Sequence, residues 1–325
     1  MPLIDVVLGV DIGGTNTKFG LVDRAGTPVV QTSIPTNAHE PAESLVARLH
    51  DGCTRMLAPL KATHALRGIG MGAPNANFFR GTVENPPNLS WKGVVPVADM
   101  VRTYYDLPVA LTNDANAAAL GEMLYGAAKG MKNFIVITLG TGLGSGIVSA
   151  GELVYGADGF AGEIGHTMVD PEGRECGCGQ RGHLETYASA TGLCRTVGEL
   201  LAVRRDESPL RAIAPRDLTS RMVADAANAG DPIACEVFEV TGQILGMKLA
   251  DSVAHLSPEA IILFGGLAAA GPLIFEPTAR SLEEHLLPIF KNKVKLLPSA
   301  LREGDTAVLG AAALIWNEIL KQQKT

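Results

Sequence analysis

Two stretches of this chain carry the same pattern, and that pattern limits the fold more than any other feature. Val6 to Asp11 is an apolar run, followed by GGTNTK and a second apolar run from Phe19 to Asp23. Phe134 to Leu139 is again apolar, then come GTGLGSG, Ile147-Val148 and a turn at Gly151. Both read as strand, Gly/Thr loop, strand, so residues 6–23 and 134–150 form an internal repeat. A length of 325 residues accommodates two domains of ordinary size. In the first loop Gly13, Gly14, Thr15 and Asn16 offer backbone N–H groups and a hydroxyl to a phosphate, and Lys18 adds a cation. Thr141 and Gly142 hold the matching place in the second. Asp11, at a strand end, is placed to hold Mg²⁺ through water. The lysine leads into a strand rather than a helix, so neither a P-loop nor a dinucleotide-binding fingerprint applies. One such loop is most often a hairpin without a ligand. Two facing each other would clamp a triphosphate.

The second constraint is the stretch GEIGHTMVDPEGRECGCGQRGHLE, Gly162 to Glu185. Cys176 and Cys178 form a C-x-C pair, with His166 ten residues before and His183 five residues after. Two thiolates and two imidazoles make a tetrahedral ligand set that suits Zn²⁺. Four protein ligands leave no open position, so the metal is read as structural. The bland alternative is a loop with two reduced cysteines and two ordinary histidines. Glu163 and Glu185 would be held rigidly by such a knot, as expected if a polar ligand is gripped there.

The remaining elements alternate. Helical spacing covers 41–56, 97–105, 184–203, 218–229, 232–255, 278–287 and 307–320; strands are expected at 66–72, 108–112, 260–264 and 293–297. Residues 81–93 read as a Pro/Asn-rich loop. Asn113 and Asp114 fall at a strand-to-helix junction, where one of them is ordinarily an N-cap. A carboxylate beside an amide there also matches where open α/β sheets bind ligands. Gly265-Gly266 follows a strand and offers flat backbone to an adenine, or is simply a βα turn.

A net charge of −7 with no stretch dense in Lys or Arg argues against a nucleic-acid partner. The most apolar segment, 260–275, is broken by glycines and a proline and is too short for a bilayer. The N-terminus lacks the basic region of a signal peptide. Cys53, Cys194 and Cys235 read as buried thiols, which suggests a reducing compartment, the cytoplasm.

DIGGTNTKFGLVD, GAPN, ENPPNLSW, NDANAAALGE, ITLGTGLGSGIV, GEIGH, the C-x-C-G-x-x-G knot and LFGG together resemble the ROK family of bacterial sugar kinases and repressors. The resemblance implies an α/β, two-domain actin-like ATPase (ribonuclease H-like) fold with a cleft between domains and a zinc-binding loop. The domains are expected at 1–116 and 117–305, with a final helix at about 306–325 returning to the first. The implied reaction is ATP-dependent phosphorylation of the 6-hydroxyl of glucose, with Mg²⁺ accompanying ATP and Zn²⁺ structural. Other hexoses or N-acetylhexosamines are the alternative acceptors, and a sugar sensor without turnover is a third reading. Asp114 matches the family's catalytic base. Asn88, Asn113, Glu163, His166 and Glu185 match residues that hydrogen-bond the sugar's other hydroxyls. His166, Cys176 and Cys178 match zinc ligands; the fourth is a cysteine in many members, and His183 stands there here. Repressor members carry a helix-turn-helix before the phosphate motif; here the first strand starts near residue 6, so a DNA-binding regulator is the weaker alternative. The family further implies a dimer or tetramer.

Overall fold

The computed structural model describes residues 2–302 and 304–323. The chain divides into two compact units, residues 1–130 with 153–161 and 300–325, and residues 131–152 with 162–299.

The first unit opens with β1 (Ile4–Ile12), β2 (Asn16–Asp23) and β3 (Pro28–Pro35), an antiparallel meander. Helix α1 (Ala42–Leu57) leads to β4 (His64–Gly72), parallel to β1. Three short strands, β5 (Ala76–Asn77), β6 (Thr82–Glu84) and β7 (Val94–Val95), make a small separate sheet. Residues 81–93 are therefore not wholly loop, because β6 lies within them and pairs with β5 before the span and β7 after it. Helix α2 (Val97–Arg102), β8 (Val109–Thr112, parallel to β4) and α3 (Asp114–Tyr125) follow. The sheet order is β3-β2-β1-β4-β8.

The second unit repeats that plan. Strands β9 (Phe134–Leu139) and β10 (Leu143–Ser149) form the antiparallel hairpin, and β11 (Glu152–Leu153) extends it. Helices α4 (Ala190–Val203), α5 (Ser220–Asn228) and α6 (Pro232–Leu256) precede β12 (Ala260–Phe264), α7 (Pro272–His285) and β13 (Lys295–Pro298). The order β11-β10-β9-β12-β13, with β12 parallel to β9 and β13 parallel to β12, matches the first sheet position by position. The repeat thus extends beyond the two hairpins to both whole sheets.

The final helix, α8 (Thr306–Gln322), belongs to the first unit, and positions 324–325 of the span expected for it lie outside the described residues. Strand alternation sorts β1 between two faces. Val6, Leu8, Val10 and Ile12 join Leu45, Val46 and Leu49 of α1 in one core; Val7 joins Val308, Ala312, Ile315 and Trp316 of α8 in another. On this second face the sheet carries Gly9 in β1 and Gly68, Gly70 and Gly72 in β4. A Cβ at Gly9 would overlap Val308 O, and one at Gly70 would overlap Ala311 O. Helix α8 therefore lies directly on sheet backbone. Helix α3 packs against α8 and stays in the first unit, which runs on to Gly130. The division expected at residue 116 falls inside the first turn of α3.

Several boundaries differ from the periodicity. Helix α4 begins at Ala190, where the Ser189 hydroxyl accepts from Gly192 N–H at 3.0 Å, because residues 184–186 form a single 3₁₀ turn. Helix α7 begins six residues earlier than expected, at Pro272, a residue whose fixed φ suits a first turn. Of the thiols expected to be buried, Cys53 is, Cys194 is half-buried and Cys235 is exposed. Cys235 sits on α6 next to inward-facing Ala234, about 100° round the helix from it, where its thiol donates to Ala227 O at 3.6 Å.

Candidate functional site

In the first unit, the parallel register aligns Asp11, Gly72 and Thr112 across three neighbouring strands at their carboxyl ends. Asn113 follows as the N-cap of α3, its Oδ1 accepting from Asn116 N–H at 2.7 Å. The capping role is thus real and uses one lone pair of the amide oxygen, so Asn113 can offer a ligand its Nδ2 hydrogens and the second lone pair. Asp114 is the first helical residue, with Oδ1 accepting from Ala115 N–H at 2.9 Å. Asp11 and Asp114 flank Gly72: a Cβ built there would lie 3.9 Å from Asp11 Oδ1 and 3.7 Å from Asp114 Cα.

Two carboxylates so placed resist full ionisation. Burial, then the charge of Asp114, pushes Asp11 up to about 6, opposed by Lys18 across the hairpin. Crowding by protein raises Asp114 as well, against the hydrogen bond from Ala115. Water still reaches the Asp114 side chain, which limits how far crowding carries that shift. The repulsion belongs to the pair and falls on whichever group ionises second.

The glycine turn between β1 and β2 is closed by Gly13 N–H donating to Asn16 O at 3.2 Å, and the Thr36 hydroxyl donates to Gly13 O at 2.7 Å. A Cβ at Gly14 would stand 3.0 Å from Asn88 Cβ, so Asn88 rests against the turn. Thr15, Asn16 and Lys18 are exposed. The first unit therefore gathers Asp11, Gly13–Lys18, Asn88, Asn113 and Asp114 at one end of its sheet.

In the second unit, β9 and β12 end side by side, with Thr138 paired to Phe264. This places the Gly140–Gly142 loop next to Gly265-Gly266. Gly265 has φ +103°, and a Cβ there would sit 2.6 Å from Leu139 O. Nothing stands within 4 Å of a Cβ at Gly266, so that backbone is open to a flat ligand.

The knot brings its four expected ligands together. Nδ1 of His166 and Nδ1 of His183 are 3.2 Å apart, Cys178 Sγ is 3.3 Å from His183 Nδ1, and Cys176 Sγ is 3.8 Å from His166 Nδ1. All four donors fall within 4.8 Å of one another. A tetrahedral Zn²⁺ with ordinary bond lengths requires edges of about 3.3 Å between nitrogens, about 3.6 Å from nitrogen to sulfur and about 3.8 Å between sulfurs. The observed spacing suits that ion. His166 turns its Nδ1 to the knot, and its Nε2 lies 3.9 Å from Glu163 Oε2.

The ROK family model matches residues 7–318. The chain belongs to the ROK family. It is 37% identical to a glucokinase of Halalkalibacterium halodurans over 95% of this chain and 94% of that protein. It is 27% identical to a xylose repressor of Bacillus spizizenii, covering 96% of this chain and 77% of that one. The structure of a ROK family glucokinase from Streptomyces griseus, in complex with glucose and AMPPNP, is 34% identical and superposes with a TM-score of 0.78 over 95% of this chain and 98% of that one.

Three supports of this ROK site carried no sequence signal. Arg174 looks like an ordinary loop charge, yet it is nearly buried. Its guanidinium pairs with Glu199 at 2.6 and 2.8 Å, donates to Thr186 O, Gly192 O and Thr196 Oγ1, and lies over the Tyr187 ring. It ties the knot to α4. The Ser145 hydroxyl donates to Gly162 O and accepts from Ile164 N–H, fastening the GEIGH segment to β10. Glu185 Oε2 accepts from the backbone N–H of Leu143 at 3.1 Å, an interaction no side-chain pattern encodes.

Proposed function

We propose that this chain transfers the γ-phosphoryl group of ATP to the 6-hydroxyl of glucose. ROK membership, with 37% identity to a glucokinase along nearly the whole chain, makes it a sugar kinase. The observation that carries the mechanism is Asp114, set at the strand-to-helix corner beside Asp11 with its proton affinity raised. A carboxylate of raised pKa is a better general base than a free one. Asp114 holds the acceptor hydroxyl and takes its proton as the bond to phosphorus forms.

Phosphoryl transfer asks a protein mainly for positioning and charge neutralisation. In the first unit, Gly13, Gly14, Thr15, Asn16 and Lys18 are assigned to phosphates, and Asn88 and the Nδ2 group of Asn113 to sugar hydroxyls. In the second, Thr141 and Gly142 are assigned to phosphates, Gly265 and Gly266 to the adenine, and Glu163, His166 and Glu185 to sugar hydroxyls. Asp11 is the residue to hold Mg²⁺, which would supply positive charge to the phosphates. His166, Cys176, Cys178 and His183 would hold a structural Zn²⁺ that fixes the rings of both histidines. No helix among the described residues is long and apolar enough to cross a membrane, consistent with a cytoplasmic enzyme.

The test is ADP release from Mg-ATP against a panel of hexoses and N-acetylhexosamines. Turnover on glucose that Asp114→Asn abolishes supports the assignment. Preference for an N-acetyl sugar overturns the substrate and keeps the base. No turnover on any sugar overturns the reaction.

A further inference from the structure

We propose that Glu185 is a positioning residue that clasps the Gly140–Leu143 loop to the Cys/His knot, so that the knot sets how firmly the loop holds nucleotide phosphates. This rests on the reading of that loop as a phosphate loop. Its evidence lies within the second unit. The carboxylate of Glu185 faces two ways. Oε2 accepts from Leu143 N–H at 3.1 Å, and Oε1 lies 3.6 Å from Sγ of Cys176. A Cβ at Gly142 would overlap Oε2, so the loop has been pared to backbone where the carboxylate sits.

The route from knot to loop is short. Glu185 is two residues beyond His183 in a 3₁₀ turn that begins at Leu184, and Leu184 N–H donates to Thr167 O, next to His166. The same segment reaches the loop again five residues on, where Ala190 N–H donates to Gly140 O at 2.9 Å. Gly140 N–H closes onto Gly142 O at 3.0 Å. Glycine-rich backbone has little stiffness of its own. A half-buried carboxylate on its amide supplies that stiffness, because hydrogen bonds to charged acceptors are the stronger kind. The loop is thereby ordered before a ligand arrives, which removes an ordering cost from binding.

A role at the sugar alone predicts something different for Glu185: weaker sugar binding and an unaltered loop. Amide hydrogen exchange over residues 140–144 of the full chain, zinc-loaded and free of ligand, separates the two. With Glu185→Ala, or with Gly142→Ala displacing the carboxylate, exchange should quicken about tenfold, the scale of one charge-assisted hydrogen bond. Glu185→Gln keeps an oxygen for Leu143 N–H without the charge and should fall between wild type and Glu185→Ala. Chelator-stripped wild type should exchange like Glu185→Ala. AMPPNP, titrated calorimetrically, should bind several-fold more weakly to Glu185→Ala than to Glu185→Gln. Unchanged exchange in Glu185→Ala, a Gln variant as loose as the Ala variant, or a loop indifferent to zinc removal would each overturn the clasp. If wild type bound no AMPPNP while its loop behaved as expected, the kinase reading would fail and the clasp would stand.

Discussion

The Asp11/Asp114 pair gives the chain a measurable pH signature. Asp11 is an acid whose affinity for its proton is higher in the folded chain than outside it, rising from 3.8 to about 6. The folded state therefore binds more protons than the unfolded state between those values, and stability falls as pH rises through that window. The penalty is complete above pH 6 and vanishes well below 3.8. At 1.36 kcal/mol per pKa unit it amounts to about 3 kcal/mol at pH 8 and about 0.5 kcal/mol at pH 4. Asp11→Asn keeps the shape and removes the charge. It should stabilise the ligand-free protein by up to about 3 kcal/mol at pH 8, a rise of about 4–8 °C in Tm, and hardly alter it at pH 4. Thermal denaturation at both pH values, without Mg²⁺ or nucleotide, checks this. A gain of equal size at both, or a loss at pH 8, would refute the electrostatic argument. The same substitution should impair catalysis, since the strain belongs to the proposed Mg²⁺ position.

Four further outcomes are expected. Asp114→Asn should lower kcat by about 10²–10⁴-fold while leaving sugar affinity near wild type, as seen by steady-state kinetics and sugar titration. The purified chain should hold close to one equivalent of zinc by elemental analysis; Cys178→Ser should lose it, and its melting temperature should fall. Gly70→Ala, which drives a methyl into the backbone of α8, should cost about 3 kcal/mol or more in denaturant unfolding, whereas Gly266→Ala, in open space, should cost far less. Arg174→Ala should destabilise by about 2 kcal/mol, mainly by removing donors from Thr186 O, Gly192 O and Thr196 Oγ1, and Arg174→Lys should not recover it, because a single ammonium cannot reproduce the planar fork of donors.

The sequence by itself determined the repeating hairpins, the strand-to-helix junction at Asn113-Asp114 and the four Cys and His side chains that the knot brings together. These are local features. Apolar alternation, a glycine turn and donors within about twenty residues are encoded where they act, and short chain segments have few ways to arrange them. Distance along the chain hid the rest. Alternate glycines in GIGMG read as a strand, but only the docking of α8, from the far end of the chain, shows why Gly70 must lack a side chain. Asp11 and Asp114 are 103 positions apart, and their mutual repulsion exists because parallel pairing through β4 brings both to one sheet end. Arg174 became a nearly buried anchor because α4 supplies Glu199 and Thr196 to it. Glu185 found Leu143 through a backbone N–H that every residue except proline possesses, and so left no mark in the sequence.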